Sequence, residues 1–281
     1  MKFKSEKEIS LIDLMKIKVG GSVSNIKKKI KHQDIFINGE LVVGHNPQVP
    51  ANSIVEIRGA KRLTNESISI LYEDDDLIAV EKPPGILSIQ SLKDKDHTLF
   101  GKVNKYLIQK SHNSVRAFIV HRLDQKVSGV ILFAKSKAVS QALSDNWFKF
   151  EKIYHAVVEG CPNPRVSRIE SWLHEDRNFK VHSSPDKRPG SKLAITNYQV
   201  EKKFRQHSLL SVKLETGKKN QIRVHLAGTG CPIIGDVKYG SSSNPIGRIG
   251  LHAHTLKIIQ PVTGEWVVIH SPSPASFFNF V

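Results

Sequence analysis

Cysteine is scarce in this chain of 281 residues, which has only Cys161 and Cys231 and no CxxC pair. This scarcity excludes a zinc ribbon and a disulfide framework, and two reduced cysteines are typical of a cytoplasmic protein. The N-terminal segment is charged and lacks the apolar core of a signal peptide, and no apolar run is long enough to span a bilayer. We therefore expect a cytoplasmic protein that does not contact a membrane.

Sequence motifs for cofactors are missing as well. No GxxxxGKS/T or GxGxxG precedes a helix, and no GxSxG is present. His252 and His254 lie on one side of a predicted strand, but no Cys, Asp or Glu is spaced to complete a metal site, so we interpret them as two packed histidines. The acidic run 73–76 is interpreted as a solvated turn rather than a cation site. We expect a reaction that needs no nucleotide, no metal and no other cofactor.

Acidic residues are few relative to basic ones. The chain has 26 Asp and Glu against 42 Lys and Arg, a formal net charge of +16. Such a surplus suits a polyanionic partner, most often a nucleic acid. The alternative is a generally basic soluble protein, which charge alone does not exclude. With five Tyr and three Trp, broad aromatic stacking on single strands is not indicated.

The apolar pattern predicts a small N-terminal α/β domain over residues 1–58. It comprises a short helix near Ile9–Ile17, a second helix rich in lysine, a strand that runs into an Asn38-Gly39 turn, and a last strand at Ile54–Ile57. Residues 59–67 are polar and unpatterned, and they are interpreted as a linker.

Residues 68–281 are predicted to form a second, larger domain. They contain at least seven short strands with few helices between them and connections of hairpin length. This pattern favours an α+β fold around a mostly antiparallel or mixed sheet. Residues 161–192 within it are basic and show no clean period, and we expect a long excursion there, either irregular or a ragged hairpin.

The stretch from Phe118 to Phe133 is the centre of this second domain. Two apolar runs, predicted to be largely buried strands, flank a polar segment that contains Asp124 and a Ser-Gly turn signal. Catalytic residues are common in loops that a rigid sheet holds. The alternative is that Asp124 caps a turn or pairs locally with Arg122 or Lys126.

The segment His121-Arg122-Leu123-Asp124, followed by Ser128-Gly129, resembles the HRLDxxTSG signature of the RluA-type pseudouridine synthases. Residues 214–236 are similar to the LxTGRxHQIRxH…PIxGD pattern of the same family, and Lys82-Pro83-Pro84-Gly85 is similar to the opening of its catalytic domains. The resemblance covers roughly residues 68–270. The chain departs from the pattern where the family has Thr, Arg and His, namely at Val127, Lys218 and Asn220.

This resemblance implies a cofactor-free isomerisation of uridine in RNA to pseudouridine. Asp124 would be the essential carboxylate, either attacking the ribose or removing the proton from ribose carbon 2. Tyr154 would pack on the uracil and help to remove the proton from carbon 5, and Arg223 would keep Asp124 ionised and oriented. Arg122 would contact the backbone or fill the gap left by a flipped base, and Lys218 would keep a charge that binds phosphate.

The N-terminal pattern resembles the RNA-binding domain first seen in ribosomal protein S4. In that family a basic helix lies on the RNA backbone, a role that would fall here to Lys27, Lys28, Lys29 and Lys31. The alternative is a solvated lysine-rich face. Together the two resemblances predict a monomeric RNA pseudouridine synthase, with ribosomal RNA favoured over transfer RNA. The rival hypotheses are a non-catalytic RNA-binding or ribosome-assembly factor on the same fold and a glycosylase, which would release free uracil.

Overall fold

In the computed structural model, the described residues are 2–20, 22–24, 26, 34–38, 40–41, 46–58, 68–89 and 98–280. The chain divides into two compact units, Met1–Ser67 and Ile68–Val281. The linker predicted at residues 59–67 lies outside the described residues. None of the described helices is both long and apolar enough to cross a membrane.

The first unit is a small antiparallel sheet packed on a helix. Its described elements are β1 (Lys2–Lys4), β2 (Ile9–Ser10), α1 (Leu11–Val19), β3 (Asp34–Ile37), β4 (Glu40–Leu41), β5 (Gln48–Val49) and β6 (Ile54–Arg58). The sheet has the order β1-β6-β3-β4, and β2 pairs separately with β5. Met15 of α1 packs with Ile35 and Val55 of the sheet, and all three side chains are buried.

Local signals set the ends of these elements. The Ser10 hydroxyl accepts a hydrogen bond from the backbone N–H of Asp13 at the start of α1, and the helix ends at Gly20, which has a φ of 73°. Asn38, between β3 and β4, has a φ of 53°, the conformation that the predicted turn requires. The four lysines assigned to the basic helix, Lys27, Lys28, Lys29 and Lys31, lie outside the described residues.

The second unit is built on one large sheet. Its elements are β7 (Ser69–Glu73), β8 (Leu77–Lys82), α2 (Leu99–Lys110), β9 (Phe118–Ile119), β10 (Ser128–Ala134), α3 (Lys137–Asp145), β11 (Glu151–Glu159), β12 (Val166–Glu175), β13 (Val181–Ser184), β14 (Lys192–Lys203), β15 (His207–Leu214), α4 (Gln221–Gly228), β16 (Leu251–Ile259) and β17 (Trp266–His270). The strand order is β13-β12-β14-β15-β11-β16-β10-β8-β7, with β9 paired to β10 and β17 to β16. β10 and β16 run parallel, and the other pairs in this sheet of eleven strands are antiparallel. The predicted α+β fold with a mostly antiparallel sheet is confirmed.

Helices cover both faces of this sheet. Alternate residues of β10 point to opposite faces, so Ile131 packs in the same cluster as Val103 of α2, and Leu132 packs with Leu143 of α3. The cluster that contains α2 also contains Ile222 of α4. Helices α2 and α4 therefore share one face, and that face carries the candidate site.

Residues 161–192 are more regular than the sequence predicted. Ten of them form β12, which pairs with β14 along residues 166–173, and β13 continues the ladder at the sheet edge. The hairpin that the sequence allowed is present and regular, and the expectation of an irregular excursion is corrected. Exposed positions alternate with partly buried ones along much of β12, and the polar side chains on its open face hide the period of a strand.

The stretch around Asp124 also differs from the prediction in two respects. β10 is buried at every position, but β9 has only two residues, and Ile119 is 36% exposed. The Ser-Gly pair lies inside β10 rather than in a turn. Gly129 has a φ of 115°, and a Cβ on it would lie 2.1 Å from the carbonyl oxygen of Ala253 on β16. Glycine is needed at this position because the two backbones approach too closely for a side chain.

Candidate active site

The Asp124 carboxylate lies in the loop between β9 and β10, and its side chain is 29% exposed. The backbone on each side of it is fixed by a buried polar side chain. The hydroxyl of Ser88 donates to the carbonyl of Leu123 and accepts from the N–H of Leu123, at 2.7 and 3.1 Å. On the other side, the ammonium of Lys82 donates to the carbonyl of Gln125 at 2.9 Å. The loop therefore presents Asp124 from a rigid backbone.

Lys82 is fully buried and connects two loops. Besides Gln125, its Nζ donates to the carbonyls of Pro83 at 3.0 Å and Ile86 at 2.8 Å. Burial, followed by the charge of Arg248, lowers the pKa of Lys82 to about 7, and the three carbonyl acceptors favour its charged form. The motif Lys82-Pro83-Pro84-Gly85 by itself indicates no role for this ammonium.

Arg223 of α4 is the partner of Asp124. Its Nη1 donates to Oδ2 of Asp124 at 2.8 Å and to Oδ1 of Asn220 at 3.0 Å. Its Nε and Nη2 donate to the two oxygens of Asp236 at 2.6 and 2.8 Å. Burial opposes the charge, but the hydrogen bonds and charges of Asp236 and Asp124 outweigh burial and raise the pKa of Arg223.

Asp236 and Tyr239 support Arg223 from behind. The Asp236 side chain is only 1% exposed, and its bidentate pair holds the guanidinium plane. The ring centroid of Tyr239 lies 5.0 Å from the guanidinium carbon, and its hydroxyl accepts from the side-chain amide of Asn220 at 3.0 Å. Neither residue was predicted to belong to the site, although Asp236 is part of the PIxGD pattern. A role for them requires the spatial contact with Arg223.

Lys218 is placed by a buried glutamine. The side-chain oxygen of Gln221 accepts from the backbone N–H of Lys218 and from the hydroxyl of Thr216, at 2.9 and 2.8 Å. The amide nitrogen of Gln221 donates to the carbonyl of Ile195 and the hydroxyl of Thr196, both at 2.9 Å. The turn before α4 is thus fixed to β14, and this turn brings Lys218 to the site.

Tyr154 lies on β11, where the register with β16 shifts between Ile153 and Tyr154. Such bulges redirect side chains and are frequent beside active sites. Burial, and then the nearby carboxylate of Asp124, raise the pKa of Tyr154. The phenol is therefore protonated at neutral pH. In this state Tyr154 offers an aromatic surface and a hydroxyl proton, not a base.

These groups surround one open cleft of about 400 Å³. The predicted site residues that line it are Arg122, Asp124, Tyr154, Lys218 and Arg223. The structure thus brings together all five candidates that lie in the second unit. The remaining lining includes apolar side chains such as those of Val127, Leu214, Ile222 and Leu251. The cleft combines an apolar wall, an aromatic ring, one paired carboxylate and cations at its rim, a set suited to a planar polar base carrying a phosphate.

The histidines considered for a metal are packed against other groups. Both ring nitrogens of His252 form hydrogen bonds, with the Ser128 hydroxyl at 2.8 Å and the Ser271 carbonyl at 3.0 Å. The ring of His254 stacks on His155 with centroids 4.0 Å apart. Within the described residues, no group of three or more His, Cys, Asp or Glu side chains is arranged to hold a metal ion.

Comparison with known proteins gives a consistent result. Residues 76–228 match the RNA pseudouridylate synthase family. The chain is 30% identical to a Bacillus subtilis protein named as an uncharacterized RNA pseudouridine synthase, over 96% of this chain and 91% of that protein. It is 31% identical to the ribosomal large subunit pseudouridine synthase D of Xanthomonas campestris, over 90% and 82% of the two chains. The solved structure of human RNA Pseudouridylate Synthase Domain Containing 4 has the same fold, with a TM-score of 0.62 and 23% identity over 75% of this chain and 90% of that one.

Proposed function

This chain belongs to the RNA pseudouridylate synthase family, whose members are isomerases, and we propose that it converts one or a few uridines of ribosomal RNA to pseudouridine, with Asp124 as the essential carboxylate. The observation that supports this role best is the pair between Arg223 Nη1 and Asp124 Oδ2, 2.8 Å long, in a cleft that Tyr154 also lines. The pair occupies Oδ2 and holds the carboxylate in one orientation, while the side chain of Asp124 stays partly exposed and lines the cleft.

The reaction breaks the glycosidic N–C bond, turns the uracil and forms a C–C bond from carbon 5 to the ribose, after which carbon 5 loses its proton. Asp124 begins it either by attacking the ribose or by removing the proton from ribose carbon 2. We assign to Tyr154 the role of packing against the uracil, because its side chain lines the cleft together with Asp124. Its hydroxyl assists proton removal from carbon 5 only after it has given up its own proton.

Ribosomal RNA is proposed as the substrate because relatives such as the Xanthomonas campestris protein carry that substrate in their names. A uridine enters this cleft only when it is flipped out of its stack. Arg122, which is exposed at the rim, would contact the backbone or fill the gap, and Lys218 would bind a phosphate. We further propose that the first unit is an S4-like RNA-binding domain and that the enzyme acts as a monomer in the cytoplasm.

The test is a map of pseudouridine in total RNA from cells in which the gene is deleted. Rescue is attempted with the wild type, with Asp124→Asn and with Asp145→Asn, a change of an exposed aspartate on α3. We expect one or a few sites to disappear and to return with the wild type and Asp145→Asn only, because loss of the carboxylate slows the reaction by about 10²–10⁴-fold.

Two other outcomes separate the alternatives. Sites restored by Asp124→Asn would contradict the role of Asp124 while leaving the activity intact. An unchanged map, together with RNA that co-purifies with the protein, would favour a non-catalytic RNA-binding factor. The departures at Val127, Lys218 and Asn220 are the features of the chain that support this second candidate.

A further inference from the structure

The tip of the hairpin between β12 and β13 is a rigid turn. The Asp176 side-chain oxygen Oδ1 accepts from the backbone N–H groups of Asn178 and Lys180 at 2.8 and 2.9 Å. The backbone of Asp176 closes the turn with the N–H of Phe179 at 3.0 Å and with the carbonyl of Lys180 at 2.9 Å. Its other carboxylate oxygen pairs with His182 at 2.8 Å. One aspartate thus fixes the whole tip.

This rigid tip exposes a large aromatic ring. Phe179 is 71% exposed and has a φ of 58°, a left-handed conformation that is unfavourable for phenylalanine. The ammonium of Lys238 donates to the Phe179 carbonyl at 2.7 Å and holds this conformation. The left-handed backbone and the exposure of the apolar ring both destabilise the folded state. Strained residues of this kind are concentrated at functional sites.

The tip is continuous with the cleft. The backbone N–H of Val181, the first residue of β13, donates to the hydroxyl of Tyr239 at 3.2 Å, and the ring of Tyr239 lies on Arg223. On the other side, the ammonium of Lys219 lies 5.6 Å from the centroid of the Phe179 ring, and its neighbour Lys218 lines the cleft. The ring of Phe179 therefore lies beside residues that build or adjoin the cleft.

The charges around the ring favour a polyanion. Of the cations at the tip and beside it, Arg177, Lys180 and Lys238 have no carboxylate partner among the described residues, whereas Lys219 is paired with Glu175. The two carboxylates there are already paired, Glu175 with Lys219 and Asp176 with His182. An aromatic ring surrounded by lysine and arginine is the arrangement that single-stranded nucleic acid binds, with a base on the ring and phosphates on the cations.

We propose that Phe179 is a stacking platform for an unpaired base of the RNA, adjacent to the nucleotide held in the cleft. This inference rests on the proposed function. Flipping a uridine into the cleft breaks its stacking with its neighbours, and an exposed ring at the rim replaces part of that contact for one of them. The platform contacts a base face and reads no base edge, so it contributes affinity and register rather than sequence recognition.

The experiment measures binding of full-length protein to two fluorescein-labelled strands, decauridylate and an abasic ribose-phosphate strand of the same length. The variants are Phe179→Ala, Phe179→Trp and, as a matched control, Phe148→Ala. Phe148 is 68% exposed and has the ammonium of Lys149 at 5.6 Å from its ring, but it follows α3, which packs on the opposite face of the sheet from the candidate site. We expect Phe179→Ala to bind decauridylate about tenfold more weakly and the abasic strand unchanged, while Phe179→Trp and Phe148→Ala keep the wild-type preference.

Three results would overturn the proposal. They are equal affinity of the wild type for the two strands, an unchanged preference in Phe179→Ala, and an equal loss of affinity for both strands in that variant. Binding does not involve cleavage of the glycosidic bond, so it does not need the Asp124 carboxylate. Asp124→Asn should therefore keep the preference for decauridylate. The binding data therefore test the stacking site, and the pseudouridine map tests the isomerase proposal separately.

Discussion

Arg223 has two acidic partners, which differ in burial and in the number of hydrogen bonds they accept. Asp236 is buried and takes two nitrogens of the guanidinium, whereas Asp124 takes one and remains partly open to solvent. A planar guanidinium held along one edge has little freedom to rotate, so the position of Nη1 is set by Asp236. We therefore propose that Asp236 is a positioning residue, which acts on Asp124 through Arg223.

Asp236→Asn tests this arrangement. The amide keeps the shape but loses the charge and one acceptor, so Arg223 turns and Asp124 is misplaced. We expect kcat for isomerisation to fall by about 10–10²-fold with little change in KM, measured as tritium release from RNA labelled at carbon 5 of uridine. The assay is run well below the unfolding midpoint, because breaking a buried pair also costs about 3–5 kcal/mol of stability.

The control for this change is Asp145→Asn, which removes an exposed carboxylate and should leave kcat and KM at their wild-type values. An unchanged kcat in Asp236→Asn would show that Arg223 keeps its position without the bidentate pair to Asp236. A rise in KM at constant kcat would place Asp236 in RNA binding instead.

Among the elements, β10 and β16 are the pair that carries the site. They are the parallel pair of the sheet, and Gly129 lies opposite Ala253. The Asp124 loop leads directly into β10, and Arg223 pairs with that loop across 99 residues of chain. The close approach that Gly129 permits therefore fixes where the loop ends relative to the rest of the sheet.

Gly129→Ala should separate the two strands. The new Cβ would lie 2.1 Å from a backbone carbonyl oxygen, which cannot move aside as a side chain would. We expect the free energy of unfolding, measured by urea denaturation, to fall by more than about 3 kcal/mol. Gly264→Ala is the matched control, since Gly264 has a φ of 75° but open space around it. It should cost about 1–2 kcal/mol, for the backbone conformation alone, and equal losses in the two variants would contradict the steric argument.

At the scale of the whole molecule, buried histidines set the dependence of stability on pH. Burial lowers the pKa of five of them, to about 3 for His121, to about 4 for His225, His252 and His254, and in the same direction for His155. In the unfolded chain a histidine titrates near 6.5. Each therefore stabilises the folded state fully above pH 6.5, and this contribution is lost as the pH falls toward the folded-state pKa.

We expect the free energy of unfolding to decrease steeply between pH 7 and about 4. The almost fully buried His225 and His252 should each account for on the order of 2 kcal/mol of the loss between pH 7.5 and 5. Urea denaturation across this range measures it. His252→Asn should lower stability at pH 7.5 and flatten the curve, while the change of exposed His112 to Asn should leave the curve parallel to the wild type. A flat wild-type curve would contradict the assignment.

The sequence by itself determined the local elements and the membership of the site. Thr98 and Ser136 cap α2 and α3, because a hydroxyl before an apolar period satisfies the first N–H groups of a helix. Asp124, Tyr154 and Arg223 were found from motif order, and the cleft contains all three. The α+β class followed from strand number and connection length.

Tertiary structure alone decided what depends on residues far apart in the chain. The roles of Asp236 and Lys82 exist only through contacts that close long loops, with Arg223 and with Gln125. β12 was not predicted as a regular strand because one of its faces is open to solvent. Glycine is required at position 129 because of a strand more than a hundred residues away in the chain. Helix caps and short motifs depend on neighbouring residues. A bidentate ion pair, a buried ammonium and a close approach of two backbones depend on distances that only folding sets.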